Sequence, residues 1–458
     1  MSALRLCLRR ALLLNFFCFA LLSSLPAFAA NVTVDCTGAN GSAFHSITAA
    51  LATLSLTGPN TITVGGTCNE NVNVYQFDRL TIQAASGHVA TIVNAANPPG
   101  ITLLISGSHN VTLDNLIIEG GSPAVYITSS SSAVNVQNCS VQNSVADGMD
   151  VDMASELVVQ NSSFTNNASE GIFVGNEAQM TMGTYPTQRI SITGNGFGTG
   201  GNGNGNGGLA IDGSLVQLNF GVATISGNAG SGISMDGGRL LFFGGEAATP
   251  GVIENNNYGI SMNDAASATL YSAFYIANNA STGISVNGAS SITFYSGVDS
   301  QGKNTFTMIA GHSIVGMALS QSSAAQMYGP HVVTKNGSAN ADAGARGGIS
   351  LEGSSLTIGS GTSVSGNTGP GIRSSVKGDL IIFDMTVSNN TEEGVLEENL
   401  SGGGFYNPLT FSGNGGAPLL CDAFSVAFGD AGSIPGEQCK NITKGAGKAP
   451  NVRIPNAH

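Results

Sequence analysis

Charge is what this chain has least of. Only 9% of its 458 residues are Asp, Glu, Lys or Arg, against roughly 25% in ordinary soluble domains. The positive sign is the scarcer one, with 15 Lys and Arg against 28 Asp and Glu and a net charge of −13. Binding nucleic acid or an anionic membrane surface needs a clustered positive field, so this balance argues against both partners. Cysteine is sparse and never arranged for a metal: there is no Cys-x-x-Cys, and no His/Cys spacing suits zinc. Past the first two dozen residues, no apolar run is long enough to cross a bilayer. Low charge can accompany disorder, but 41% apolar residues recurring at a regular period argue for a packed core.

The first 30 residues read as a secretory leader. Arg5, Arg9 and Arg10 precede the apolar run Ala11 to Leu22, and Ala27-Phe28-Ala29 supplies small residues for cleavage. Secretion or a periplasmic location, after cleavage near Ala29, is the expectation. Removing three of the 15 basic residues leaves 12 − 28 = −16. Five cysteines then remain, in a chain whose export permits disulfides. Proximity within each terminal cap pairs Cys36 with Cys68 and Cys421 with Cys439, leaving Cys139 free and buried.

What the chain does have is a repeat. Asparagine returns at Asn143, Asn166, Asn195, Asn228, Asn256, Asn279, Asn304, Asn336, Asn367, Asn390 and Asn414. After most of these come Gly and an apolar-x-apolar triplet, as in Gly232-Ile233-Ser234-Met235 and Gly283-Ile284-Ser285-Val286. The tightest intervals, such as 149 to 172 and 260 to 284, are 23 or 24 residues. A fixed period of this size marks a solenoid whose repeats bury their apolar faces against one another. Apolar-x-apolar is a strand pattern, so each repeat is one coil of a parallel β-helix.

One coil reads as three strands: Met149 to Asp152, Leu157 to Val159, and Ser163-Phe164 after a turn at Asn161. A second Asn column, Asn115, Asn138 and Asn161, marks that turn. Both columns are expected to be structural, with stacked amides bonding along the solenoid axis at buried turns. Stretched coils are expected at Gly196 to Gly208, Thr305 to Gly316 and Gly337 to Gly348, on the segment between the recurring Asn and the Gly-apolar strand. Ser42 is predicted to cap a short helix carrying Phe44, Ile47, Leu51 and Leu54, which closes the open N-terminal end. The organisation is thus a leader over 1–30, a cap and first irregular coils over 31–100, a regular solenoid over 101–430 and a polar tail over 431–458 that includes Lys440, Lys444, Lys448 and Arg453.

The opening segments, Phe44 to Leu51, Thr61-Ile-Thr-Val64, Asn69 to Val74 and Leu80-Thr-Ile82, resemble the start of pectinesterases and related proteins. With the coils that follow, the chain resembles the right-handed parallel β-helix, or pectin-lyase-like, superfamily from about residue 32 to 430. The resemblance implies an all-β fold, with the Gly-apolar strands forming the first sheet and its outer face flooring a substrate groove. It implies no activity, because many chemistries share this scaffold. The Asp-Asp and Gly-His-Gly of polygalacturonases are absent, as are the pectinesterase Gln-Asp and Arg-x-Trp; the chain has no Trp. The Asp-Pro-His-Asp of alginate epimerases is absent too.

Candidate chemistry lies on the expected outer face. Its residues include Asp150, Asp152, Asp212, Asp236, Asn263, Asn287, Glu352 and Glu398. Alternate residues of one strand are about 7 Å apart, so Asp150 and Asp152, with Asp147 close in sequence, fall near the ~6.5–9.5 Å separation of an inverting carboxylate pair. Turn preference of Asp explains such residues as well. Asp212 over Asp236 makes a like-charge pair that could bind a cation. Tyr271, Tyr295 and Tyr328 align as an aromatic column, either a strip for sugar rings or a stack between coils. His312 and His331 have no Ser, Cys or Asp partner at a readable position, which leaves a nucleophilic triad unsupported. The leading functional expectation is a monomeric exported protein that binds polysaccharide or a cell-surface partner, the glycan being either neutral or acidic and bridged by a divalent cation such as Ca2+; no other cofactor is implied. The alternatives are a glycoside hydrolase or polysaccharide lyase using Asp150 and Asp152, and a structural or adhesive protein with no glycan ligand.

Overall fold

The computed structural model describes residues 29–183, 189–198, 207–219, 223–342, 346–359 and 361–443. Most of the leader, Lys444, Lys448, Arg453 and the centre of the Gly/Asn-rich run lie outside the described residues. Among those described, the chain winds into parallel coils. One strand of each coil joins a 14-stranded sheet, here the first sheet; the other strands build a 28-stranded second sheet. The coil read from the sequence is present as Met149–Val151, Glu156–Gln160 and Ser163–Thr165. The first sheet begins at Val72–Tyr75 and ends at Leu419–Cys421.

Alternation explains the strands. In Met149–Val151 the apolar outer pair is buried and the middle residue is half-exposed. The same pattern recurs at Ile172–Val174 and Ile284–Val286. Parallel register then stacks like on like: Ile233 on Ile260 and Ile284, and Met235 on Met262 and Val286. The result is one continuous apolar core along the solenoid.

The recurring asparagine is a buried ladder. Asn195 shows its full wiring. Its Nδ2 donates to Phe164 O at 3.1 Å and to Asn228 Oδ1 at 3.0 Å, and its Oδ1 accepts from Asn167 N at 3.0 Å and Asn167 Nδ2 at 2.9 Å. Two donors and two acceptor sites exhaust what an amide offers, so a side chain with no exposure is fully satisfied. The ladder corrects the sequence reading at three points. Ser144 and Asn167, not Asn143 and Asn166, face the interior; Asn143 and Asn166 take the left-handed turn positions just before, with φ of 56°. Asn304 is not a rung. His312 holds that place, its Nδ1 accepting from Asn279 N at 3.2 Å and its Nε2–H donating to Ile276 O at 3.0 Å.

The glycine of the motif follows from the ladder. A Cβ on Gly232 would sit 2.8 Å from Asn256 Nδ2, 2.8 Å from Gly259 O and 2.7 Å from Ile253 Cγ2. The chain must pass this close to the next rung to start the next strand, so only glycine fits. The other column, Asn115, Asn138 and Asn161, is exposed rather than buried. Its φ values of 56°, 55° and 46° are left-handed, a conformation asparagine tolerates better than most residues. A third column, unforeseen from the sequence, is serine: Ser108, Ser131, Ser290, Ser323, Ser354 and Ser401 are all buried. They line the turn after the first sheet, where Ser131 Oγ accepts from Ser108 N at 3.2 Å and Ser354 Oγ from Ser323 N at 3.2 Å.

The ends and insertions also differ in detail. The N-terminal helix is Ile47–Leu51, and Ser46, not Ser42, caps it by accepting from Ala49 N. Glu70 adds a second cap by accepting from Ile47 N at 2.6 Å and Thr48 N at 3.0 Å. Phe44 lies before the helix, in a bridge to Val34. Both expected disulfides are formed, Cys36–Cys68 and Cys421–Cys439, and Cys139 is free and buried. The expected stretch at Thr305 to Gly316 is absent, because His312 stands as close before Gly316 as Asn279 does before Gly283. The extra residues instead form an antiparallel hairpin, Gly297–Val298 with Asn304–Thr305, one turn earlier.

The ladder sets two stability expectations. Replacing Asn367 by Ala strips Asn336 N and Nδ2 of their acceptor at 3.0 Å and should cost about 2–4 kcal/mol, whereas Asn138→Gly, at an exposed left-handed turn, should change stability by less than about 0.5 kcal/mol; chemical denaturation of the two variants measures the contrast. Burial pushes the pKa of His312 down to about 4, and protonated Nδ1 would face the Asn279 N–H. Unfolded His312 takes its proton near pH 6.5, so the unfolded state binds more protons between about pH 6.5 and 4, and stability falls as pH falls through that window. His312→Asn restores an amide rung. Its melting temperature should be no lower than wild type at pH 7 and should exceed it at pH 4.5, by about 2 kcal/mol in stability.

Candidate functional site

The outer face of the first sheet carries the candidate polar groups in two places. The first is acidic. Asp150 sits in register between Tyr126 on the preceding coil and Phe173 on the next, so two rings flank its half-buried carboxyl. Its Oδ1 is buried without a hydrogen-bond partner. Burial, then the charges of Asp147 and Asp152, pushes its pKa up to about 7. Asp152, just past the strand end, is held by the Tyr126 hydroxyl at 3.1 Å, by Asn176 Nδ2 at 2.8 Å and by the Met153 amide.

Asp147 belongs to this cluster through a partner the sequence reading missed. Its Oδ1 accepts from Glu170 N at 3.1 Å, 23 residues on. The Glu170 carboxyl, bonded to Ser169 Oγ, lies against the Asp147 carboxyl. Burial, and then a hydrogen bond between the Glu170 and Asp147 carboxyls, raise Glu170 well above the ordinary carboxylate range. The signal was available: Glu170 is one period after Asp147. Asp147, Asp150, Asp152, Glu170 and Tyr126 thus form one acidic site in which burial raises the pKa of two half-buried carboxyls, Asp150 and Glu170. That is the environment in which a carboxylic acid stays protonated near neutral pH.

The second place is a groove of about 450 Å³ further along the same face. Its lining includes Ser231, Tyr258, Ser261, Asn263, Ser285 and Asn287. Ser261 and Ser285 are register partners, the middle residues of their strands. Asn287 Nδ2 reaches Ser285 Oγ at 3.0 Å and Asn263 Oδ1 at 3.4 Å. Among the described residues, none that lines the groove is charged. Asp212 and Asp236 are register partners as expected, and Asp236 stands beside Asn263. Asp264 adds a third carboxyl: burial, and then a hydrogen bond shared between the two carboxyls, raise the pKa of Asp236.

The tyrosine column lies elsewhere. Tyr271, Tyr295 and Tyr328 are on the second sheet, in Ser267–Tyr271, Ser291–Tyr295 and Ala324–Tyr328. Their rings stack on one another at centroid distances of 5.0 and 5.4 Å, and Phe243 extends the stack at 4.9 Å from Tyr271. Ring faces between coils are therefore covered by neighbouring rings, and the first-sheet groove has Tyr258 as its own aromatic residue.

Other titratable groups resolve into structure. His331, buried, accepts from Thr307 N and donates to Tyr328 O at 3.1 Å, and burial lowers its pKa to about 4. Arg373, on the acidic face, pairs with Glu398 at 2.8 Å. Its neighbour in sequence, Glu397, points into the core at a position that is Leu351 two coils earlier. Cys36, Cys68 and Glu70 lie together, but two are disulfide-bonded and the third caps the helix, so they offer no cation site.

A family comparison agrees with the architecture over part of the chain. The model for a right-handed β-helix region matches residues 60–214. No curated protein matches the chain. Among solved structures the chain is similar to the pectate lyase Pel9A, at 12% identity over 74% of this chain and 78% of that one, TM-score 0.32. It is similar to the catalytic domain of a GH87 α-1,3-glucanase in complex with nigerose, at 13% identity over 91% and 68%, TM-score 0.25. It is also similar to PfbA, a surface adhesin of Streptococcus pneumoniae, at 12% identity over 84% and 92%, TM-score 0.25. Activities and ligands remain those proteins' own. The matched region, and parallel coils that continue in the same strand order to Leu419–Cys421, make this chain a right-handed parallel β-helix protein.

Proposed function

We propose that this is an exported protein that binds polysaccharide through the outer face of its first sheet. The observation that carries the reading is the groove at Tyr258, Ser261, Asn263, Ser285 and Asn287. It presents hydroxyls and amides, which donate and accept, beside one aromatic ring; sugars are recognised by that combination. Two disulfides support an oxidising compartment. A monomer is sufficient, because the coils stack on one another within one chain.

A second reading is favoured by Asp150. A carboxyl raised to about 7 by burial and then by the charges of Asp147 and Asp152 is suited to general-acid catalysis at a glycosidic bond. The groove and the acidic cluster share one sheet face, so a bound chain could reach both.

Binding is tested by affinity electrophoresis in gels containing single polysaccharides. Tyr258→Ala and Asn287→Ala should each weaken retention about tenfold, near 1.4 kcal/mol. Unchanged retention in both would sink the groove reading. For the catalytic reading, Asp150→Asn should abolish release of sugar products from any substrate the wild type degrades. The same variant has a stability signature. Asp150 keeps its proton in the fold up to about pH 7 and loses it near 3.9 when unfolded. Its contribution is therefore present at low pH and is lost as pH rises through about 7. Asp150→Asn should exceed wild type in stability at pH 8 by about 1–3 kcal/mol, after discounting for partial solvent screening, and the gap should close at pH 4. Thermal melts at the two pH values measure it.

A further inference from the structure

We propose that the first-sheet groove selects an uncharged glycan, with Ser261, Ser285, Asn263, Asn287 and Tyr258 contacting the sugar and Asp212, Asp236 and Asp264 at its border rejecting a polyuronate. The inference rests on the polysaccharide reading and specifies the substrate class.

Three observations carry it. First, the groove's own lining is neutral, so recognition there runs through hydroxyl and amide hydrogen bonds. None of its described residues carries a positive charge to pair with a carboxylate ligand. Second, the groove wall passes directly into acid. Asn263, a lining residue, is the register partner of Asp236, which is the register partner of Asp212, and Asp264 follows Asn263 in the chain. Asp212 and Asp236 are exposed, so their field reaches any ligand chain that extends past the groove. Third, the face holds little to offset them. Arg373 is paired with Glu398, and Arg239, which follows the turn after Asp236, starts a strand of the second sheet. A polyuronate carries one negative charge per sugar, so two or three of its carboxylates would meet this border at once. Repulsion between exposed like charges is screened beyond about a Debye length, but register partners on adjacent coils are about 4.8 Å apart, well inside it.

The amide side of the border has the complementary property. Asn287 Nδ2 already spans Ser285 and Asn263, and Ser320 Oγ donates to Asn287 Oδ1. This holds the Asn287 amide in one orientation before a ligand arrives, which lowers the ordering cost of binding.

The test uses the mature full-length protein in affinity gels containing dextran, galactomannan or xyloglucan, and polygalacturonate with EDTA, at low and at physiological salt. Wild type should be retarded by at least one neutral polymer and not by polygalacturonate. Asp212→Asn, Asp236→Asn and Asp264→Asn combined should keep the neutral affinity within about threefold and gain retardation on polygalacturonate, most clearly at low salt. Circular dichroism and melting of the triple variant check that it is folded; if it is not, Asp212→Asn alone, at the exposed end of the row, should show a smaller gain in the same direction. Wild-type retention by polygalacturonate in EDTA, or a folded triple variant that still ignores polygalacturonate, overturns the selection argument while leaving polysaccharide binding intact. Retention by none of the polymers overturns the polysaccharide reading and this inference with it.

Discussion

The structure depends on a line of side-chain amides, buried from Asn167 to Asn390 and ending at the part-buried Asn414. From Asn167 to Asn414 each rung bonds to the next, with His312 standing in once. A buried amide is costly if any of its groups is left unpaired, so this line is stable only as a continuous run. Continuity is what forces the coils into register. It also dictates the glycine a few residues later, where the chain crosses the next rung too closely for a Cβ. The turn, the strand that follows and its inward apolar pair are all placed by that one crossing.

Function inherits this regularity. A coil in register puts its middle strand residue directly over that of its neighbour, so a column of outward side chains behaves as a designed surface. Where the column reads Tyr126, Asp150 and Phe173, a carboxyl lies in register between two aromatic residues, and burial raises its pKa to about 7. Where it reads Ser234, Ser261 and Ser285, the face is a row of hydroxyls. The same backbone thus offers acid in one stretch and a neutral groove in another. The choice is made one residue per coil.

Legibility in the sequence followed periodicity. The apolar-x-apolar triplets, the coil length and the parallel stack were readable because each repeats many times. The pairing of Cys36 with Cys68 and of Cys421 with Cys439 was readable from proximity along the chain. Errors came where a motif is degenerate within one or two residues. Asn166-Asn167 and Asn143-Ser144 each present two candidates, and only the backbone decides that the first takes the left-handed turn and the second faces inward. His312 was hidden because an imidazole imitates an amide only through geometry, with one nitrogen accepting and the other donating. Glu397 was hidden because a carboxyl at an inward position contradicts the pattern that located its strand.

The sequence by itself therefore determined the solenoid, its strand order and the identity of the residues that alternate out of it, since these depend on local spacing repeated along the chain. Only the tertiary structure decided which of those residues share a site. Glu170 joined Asp147, and Asp264 joined Asp236, because coils bring together residues a full period apart. The tyrosines parted from the acidic face because they lie on a different sheet, and the groove emerged from side chains whose closeness depends on register. Spacing along a chain sets what each residue is next to locally; only packing sets what faces it across a coil.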